Sequence, residues 1–138
     1  MFQRVSSRHS QPFRVVIETD DPSLAIADFV SFGAAGFDVV SCGGPDDHDS
    51  CPAVEGRPCP LVEGADVVLN QLTDTRVRME VVRCVRRTSP GVPMVVGGCA
   101  DLDDRLPEGC VPLANSTSVN GQVNAVRRAA TQAKLGIQ

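Results

Sequence analysis

Apolar residues along this chain fall into five short runs, with helix-length stretches of a different repeat between most of them. Phe13 to Glu18 (FRVVIE) is rich in β-branched residues and ends at the polar cluster Thr19, Asp20, Asp21 and Pro22, so a strand followed by a loop is predicted. Ser23, or Asp20 or Asp21 before it, can cap a following helix whose apolar face is Leu24, Ile26, Phe29, Val30 and Phe32, with Gly36 as its stop. A second strand is predicted over Phe37 to Ser41. From Cys42 to Pro58 the chain is dense in Gly, Pro and acidic residues, which is loop chemistry, and a helical turn follows around Leu61 to Gly64. Asp66 to Asn70 (DVVLN) is apolar enough to be buried on both faces, as a central strand is.

Thr73 or Asp74 can cap the next helix, in which Val77, Val81, Cys84 and Val85 recur at helical spacing. Arg76, Arg78, Arg83, Arg86 and Arg87 are then predicted to face water, and the helix ends before Pro90. Met94 to Val96 form a fourth strand closed by Gly97 and Gly98, and Val111 to Leu113 a short fifth. In the last helix Val119, Val123, Val126, Ala130 and Ala133 make one stripe toward the sheet, with Arg127, Arg128 and Gln132 opposite.

Strands alternating with helices imply a parallel sheet, because each helix must carry the chain back before the next parallel strand begins. The predicted fold is α/β: an open, doubly wound sheet of five parallel strands over residues 13–138, preceded by a flexible arm over residues 1–12. In such sheets ligands sit beyond the carboxyl ends of the strands. Those ends are Thr19 to Asp21, Cys42 to Gly44, Asn70 to Leu72, Gly98 to Cys99 and Ala114 to Thr117.

Length and charge narrow the function. A chain of 138 residues suits one core. Its net charge of −4, with no Tyr or Trp, opposes steering toward a nucleic acid and leaves few faces for base stacking. No apolar stretch is long enough for a membrane span and the N-terminus has no signal-peptide core, which points to the cytoplasm. Six cysteines there are buried thiols, metal ligands or redox groups rather than a disulfide framework.

The acidic cluster before Pro22, the closing AAGFDVV of the first helix, the GAD before the central strand, PGVPMVVGG and the terminal VNAVRRA occur in the order seen in response-regulator receiver domains, which the chain resembles over roughly residues 12–135. The resemblance implies a flavodoxin-like fold and a site made of an acid pair after strand one, a phosphoryl-accepting aspartate ending strand three, a hydroxyl after strand four and a lysine after strand five. Here the acid pair falls on Thr19 and Asp20, or on Asp20 and Asp21. The acceptor falls on Asn70 or Gln71, neither of which can form an acyl phosphate, and the hydroxyl falls on Gly98. The lysine position falls on Ala114, Asn115 or Ser116, and the single lysine, Lys134, lies too far into the last helix. This is the pattern of a pseudo-receiver. The receiver's second helix is replaced by the cysteine-rich loop, and its fourth has only Ala100 to Gly109 (ADLDDRLPEG) to form from.

That loop carries a duplication, CPAVEGRP at 51–58 and CPLVEGAD at 59–66, which places Cys51 and Cys59 at equivalent positions. With Cys42, His48 and Cys99 they make a set that zinc or an iron–sulfur cluster accepts, although their spacing is wider than the usual pairing of zinc ligands. The same thiols also suit buried turn residues beside prolines, or a reversible disulfide. Cys84 and Cys110 read as core residues. No Ser/His/Asp set can be assembled from His9 and His48, so the expected role is non-enzymatic. The leading expectation is a phosphorylation-independent regulatory module that binds a protein partner or a second copy, through the last helix and the neighbouring edge. A metal or thiol sensor at the cysteine loop is the alternative.

Overall fold

The computed structural model describes residues 11–45, 51–99 and 106–136. Its elements in chain order are β1 (Arg14–Glu18), α1 (Pro22–Ala34), β2 (Asp38–Cys42), α2 (Pro60–Glu63), β3 (Val67–Asn70), α3 (Thr75–Thr88), β4 (Met94–Cys99), β5 (Cys110–Ala114) and α4 (Val119–Lys134). The strands form one five-stranded sheet of order β2-β1-β3-β4-β5 in which every pairing is parallel. That is the predicted architecture. All residues 1–10 of the expected arm, and most of the segment expected to hold the shortened fourth receiver helix, lie outside the described residues.

The period of two in each strand divides the core into two layers. Val15, Ile17, Val67, Leu69 and Val95 meet Phe32 of α1 and Val123, Val126, Ala129 and Ala130 of α4 on one face. Val16, Val68, Met94 and Val96 meet Val81, Val82 and Val85 of α3, with Val62 and Leu72, on the other. β1 and β3 are fully buried along nearly their whole length, which explains their unbroken apolar runs.

Several local expectations are corrected. The first helix is capped by Asp21, one of the candidates, and not by Ser23: Asp21 Oδ1 accepts from the backbone N–H of Ser23 and Leu24, so Ser23 lies inside the helix. Of the two candidates for α3, Asp74 is the cap, accepting from Arg76 and Val77. β2 runs one residue later than predicted, and β4 continues through both glycines to Cys99. In α4 the stripe turns toward Ala125 and Ala129, leaving Val119 exposed.

Two corrections matter more. Only Phe32 of the expected apolar face of α1 is buried; Ile26, Phe29 and Val30 point outward, while Asp28 is turned inward at 2% exposure. Arg78 and Arg86 depart from the water-facing positions expected of them, Arg78 by burial and the half-buried Arg86 by its bonds. Arg78 is 8% exposed, and Arg86 donates to the carbonyl oxygens of Glu108 and Val92. Their long side chains reach open carbonyls at neighbouring strand and loop ends, and those bonds outweigh the amphipathic pattern.

Candidate functional site at the carboxyl ends of the strands

The parallel register brings Glu18 of β1 beside Cys42 of β2 and Asn70 of β3. Glu18 is buried and accepts a 2.8 Å hydrogen bond at Oε1 from Asn70 Nδ2. Asn70 Oδ1 accepts in turn from the Leu72 N–H at 3.2 Å. Removal from water pushes the Glu18 carboxyl up to about 7, against the lowering effect of the Asn70 bond. Glu18 was not among the residues singled out from the sequence. Its signal was present: an acid closing a strand predicted to be buried has to find a partner in the next strand.

Of the expected acid positions, Thr19 is buried, its N–H bonds the Cys42 carbonyl, and its hydroxyl accepts from the Asp21 N–H. Asp20 crosses to the β3 side and accepts from the Thr73 hydroxyl at 3.0 Å and from its N–H. Asp21 is occupied as the helix cap. Gly98 has φ +71°, and Ser116 is exposed beyond β5. Gln71 donates Nε2 to Gln122 Oε1 at 3.1 Å. Lys134 lies over the Phe13 ring beside the start of β1, at the opposite end of the sheet from Asn70.

A shallow cleft lined by Thr19, Asp20, Asp21, Pro22, Gly43 and Leu72 opens over the ends of β1, β2 and β3 and the start of α3. A second, of about 600 Å³, lies over β3, β4 and β5 and is lined by Gln71, Leu72, Thr73, Thr75, Arg78, Gly97, Gly98 and Asn115.

The cysteines separate into groups. Cys42, Cys51 and Cys59 pack partly buried against the α3-side core and interact electrostatically with one another, and Cys42 and Cys51 also with Glu18. Desolvation raises the Cys42 and Cys51 thiols in the first place, and the Glu18 charge adds to it. Cys99 stands apart from Cys42 in the sheet, since β1 and β3 lie between β2 and β4, and its charge bears on Cys110. Cys110 is only half-buried, unlike the core position expected of it, and desolvation pushes its thiol up to about 11. His48 lies outside the described residues. All six thiols are free, and among the described residues no three His, Cys, Asp or Glu side chains converge as a metal site.

The duplicated segments form the same turn twice. The Glu55 N–H bonds the Cys51 carbonyl, and the Glu63 N–H bonds the Cys59 carbonyl. Their burial differs, since Ala53 is buried in the first copy whereas Val62, one position later in the repeat, is buried in the second.

No family's sequence model matches the chain, and no curated protein is similar to it in sequence. Its likeness is structural. A response regulator receiver domain protein from Clostridium thermocellum superposes with a TM-score of 0.68 at 15% identity, over 91% of this chain and 99% of that one. A receiver protein from Sinorhizobium medicae gives 0.62 at 18%, covering 89% and 98%. The receiver domain of nitrogen regulatory protein C gives 0.63 at 14%, covering 88% and 97%. The chain has the receiver-domain fold. Within that fold, the residue closing the central strand is Asn70, one of the two positions, with Gln71, on which the resemblance places the phosphoryl acceptor. No helix among the described residues is long and apolar enough to cross a membrane.

Proposed function

We propose that this receiver-fold protein is a regulatory module that works without phosphorylation and without catalysis, by binding a protein. The observation that carries the reading is the state of Asn70. It is fully buried, both side-chain polar atoms are bonded within the fold, and it offers no carboxylate for an acyl phosphate. The aspartates at the expected acid positions are committed elsewhere, Asp20 to Thr73 and Asp21 to the helix cap, and the neighbouring Glu18 is bonded to Asn70 itself.

The surface that suits a partner is α1 rather than the last helix. Every exposed position of α1 is uncharged, and Ile26, Phe29 and Val30 are 68%, 59% and 63% exposed on adjoining turns. A helix apolar on both sides is a helix with something covering the second side. A neutral face can meet its own copy without the repulsion that a net charge of −4 otherwise imposes between copies, so a second copy is the favoured occupant. By contrast α4 presents Arg127 and Arg128, and Arg127 is bound to the Ala35 carbonyl.

The experiment has two arms. Incubation with acetyl phosphate and Mg²⁺, followed by intact mass, is expected to show no added phosphate. Sedimentation velocity across a concentration series is expected to show a monomer–dimer equilibrium that Phe29→Ser abolishes. A labelled protein would remove the first half of the reading, and a strictly monomeric wild type the second.

A further inference from the structure

Arg78 reaches from α3 toward the carboxyl ends of β3 and β4 with most of its donors unspent. Its side chain has five N–H groups. Nη1 donates to the Leu72 carbonyl at 3.0 Å and Nη2 makes a 3.4 Å contact with the Thr75 hydroxyl, while Nε is buried with no partner. The residue is 8% exposed, and no carboxylate lies within ion-pair distance of it among the described residues. A permanently charged guanidinium taken out of water without a counter-ion is costly. Arg78 lines the 600 Å³ cleft, and the Gly98 backbone passes so close that an added Cβ would meet Nη1 at 3.0 Å. A second unpartnered buried atom, Gln71 Oε1, belongs to the same lining.

The remaining walls are hydroxyls and an amide, from Thr73, Thr75 and Asn115, together with the first turn of the 14-residue helix α3. Its N-terminal end is the positive end of the helix dipole. Gln71 bonds Gln122 amide to amide, so the two can turn over together and present an N–H₂ group to the cleft in place of the oxygen. Everything this cleft lacks is supplied by one chemical group: a flat or tetrahedral arrangement of negatively charged oxygens that can accept from Nε and Nη of one guanidinium.

We propose that the cleft between Gln71, Arg78, Gly98 and Asn115 binds a small oxyanion non-covalently, the phosphate or carboxylate group of a small molecule, with Arg78 as its counter-ion. The site lies at the carboxyl ends of the strands and includes Gln71, Gly98 and Asn115, which the resemblance gives as candidates for the acceptor, hydroxyl and lysine positions, but its charge comes from Arg78 on α3 and it needs no carboxylate or lysine. It goes beyond the partner-binding reading and stands without it: a ligand here can bind whether or not α1 pairs with a second copy.

The test follows the Arg78 Nε–H resonance in ¹⁵N-labelled full-length protein while sodium phosphate, and separately sodium acetate, is added at constant ionic strength in chloride. A saturating shift with either anion supports the proposal, and the anion that gives it names the source. Arg78→Gln is expected to weaken the response at global amide positions around the cleft by roughly tenfold or more, as loss of a charge-assisted fork does. Asn115→Ala, at an exposed position that leaves the core intact, is expected to weaken it by a smaller factor, and keeps the test alive if Arg78→Gln does not fold. Phe29→Ser is expected to leave the response unchanged. The proposal is overturned if neither anion shifts Nε–H. It is equally overturned if the resonance moves only when Asp101, Asp103 and Asp104 are changed to Asn, since the chain itself then supplies the counter-ion.

Discussion

Glu18 shows how much one side chain can set. Its carboxyl rises from 4.5 to about 7 because the folded protein withholds water from it. With the folded value above the unfolded one, the native state holds the proton longer. Stability contributed by this group is whole below about pH 4.5, falls as pH rises, and is lost once the pH passes about 7. Glu18→Gln is therefore expected to be the more stable protein at pH 8, by at most about 3 kcal/mol, and equal to wild type near pH 4. Urea melts at the two pH values check it, and an unchanged difference between them would falsify the account. Asp28, raised to about 6 by burial and with Oδ2 unpartnered, adds a slope of the same sign, so the variant flattens the profile without levelling it. Gly109 is a residue-scale constraint of another kind. It has φ +91° and lies directly under the Arg86 guanidinium, so Gly109→Ala strains the backbone and displaces the bonds Arg86 makes to Glu108 and Val92. A loss of about 2–3 kcal/mol in the same melts is expected.

At the scale of elements, the helices obey different rules. α3 is the conventional one: an Asp74 cap, a buried stripe and two arginines in its last turn, which complement the helix dipole. Asp74→Ala is expected to cost about 1 kcal/mol through loss of its two backbone acceptor bonds, measurable as a lowered urea midpoint at unchanged slope. α1 reverses the usual pattern, exposing Ile26, Phe29 and Val30 and burying an aspartate. Such a helix is poorly suited to a free surface, and hydrogen exchange should register it. Raising the protein concentration through the dimer transition is expected to slow exchange in residues 22–34, with little change in residues 119–134.

For the molecule as a whole, the two apolar layers enclose the buried central strands, and the thiols lie on the α3 side of the sheet. Cys42, Cys51 and Cys110 all have raised thiols, so little thiolate is present near neutral pH. Iodoacetamide at pH 7.5 is expected to modify these three at least about tenfold more slowly in the native protein than in urea, counted by peptide mass. Rapid native labelling of Cys42 or Cys51 would instead favour the thiol-sensor alternative.

The sequence by itself determined the strands, their order of appearance and the parallel architecture, because period, turn residues and connection length are local properties written in neighbouring positions. It also determined that Asn70 closes the central strand, since a single residue's identity needs no structure to be read. What only the tertiary structure decided concerns residues far apart in the chain. Glu18 reaches Asn70 across 52 positions, as β1 lies against β3. Arg78 turns inward and Arg86 folds over the start of β5 to meet backbone carbonyls there, which a helical repeat cannot announce. The outward face of α1 is settled by which side of the helix Phe32 and the sheet claim first. Cys99 parts from Cys42 because β1 and β3 intervene, and strand order is a property of packing, not of the order in which strands are written.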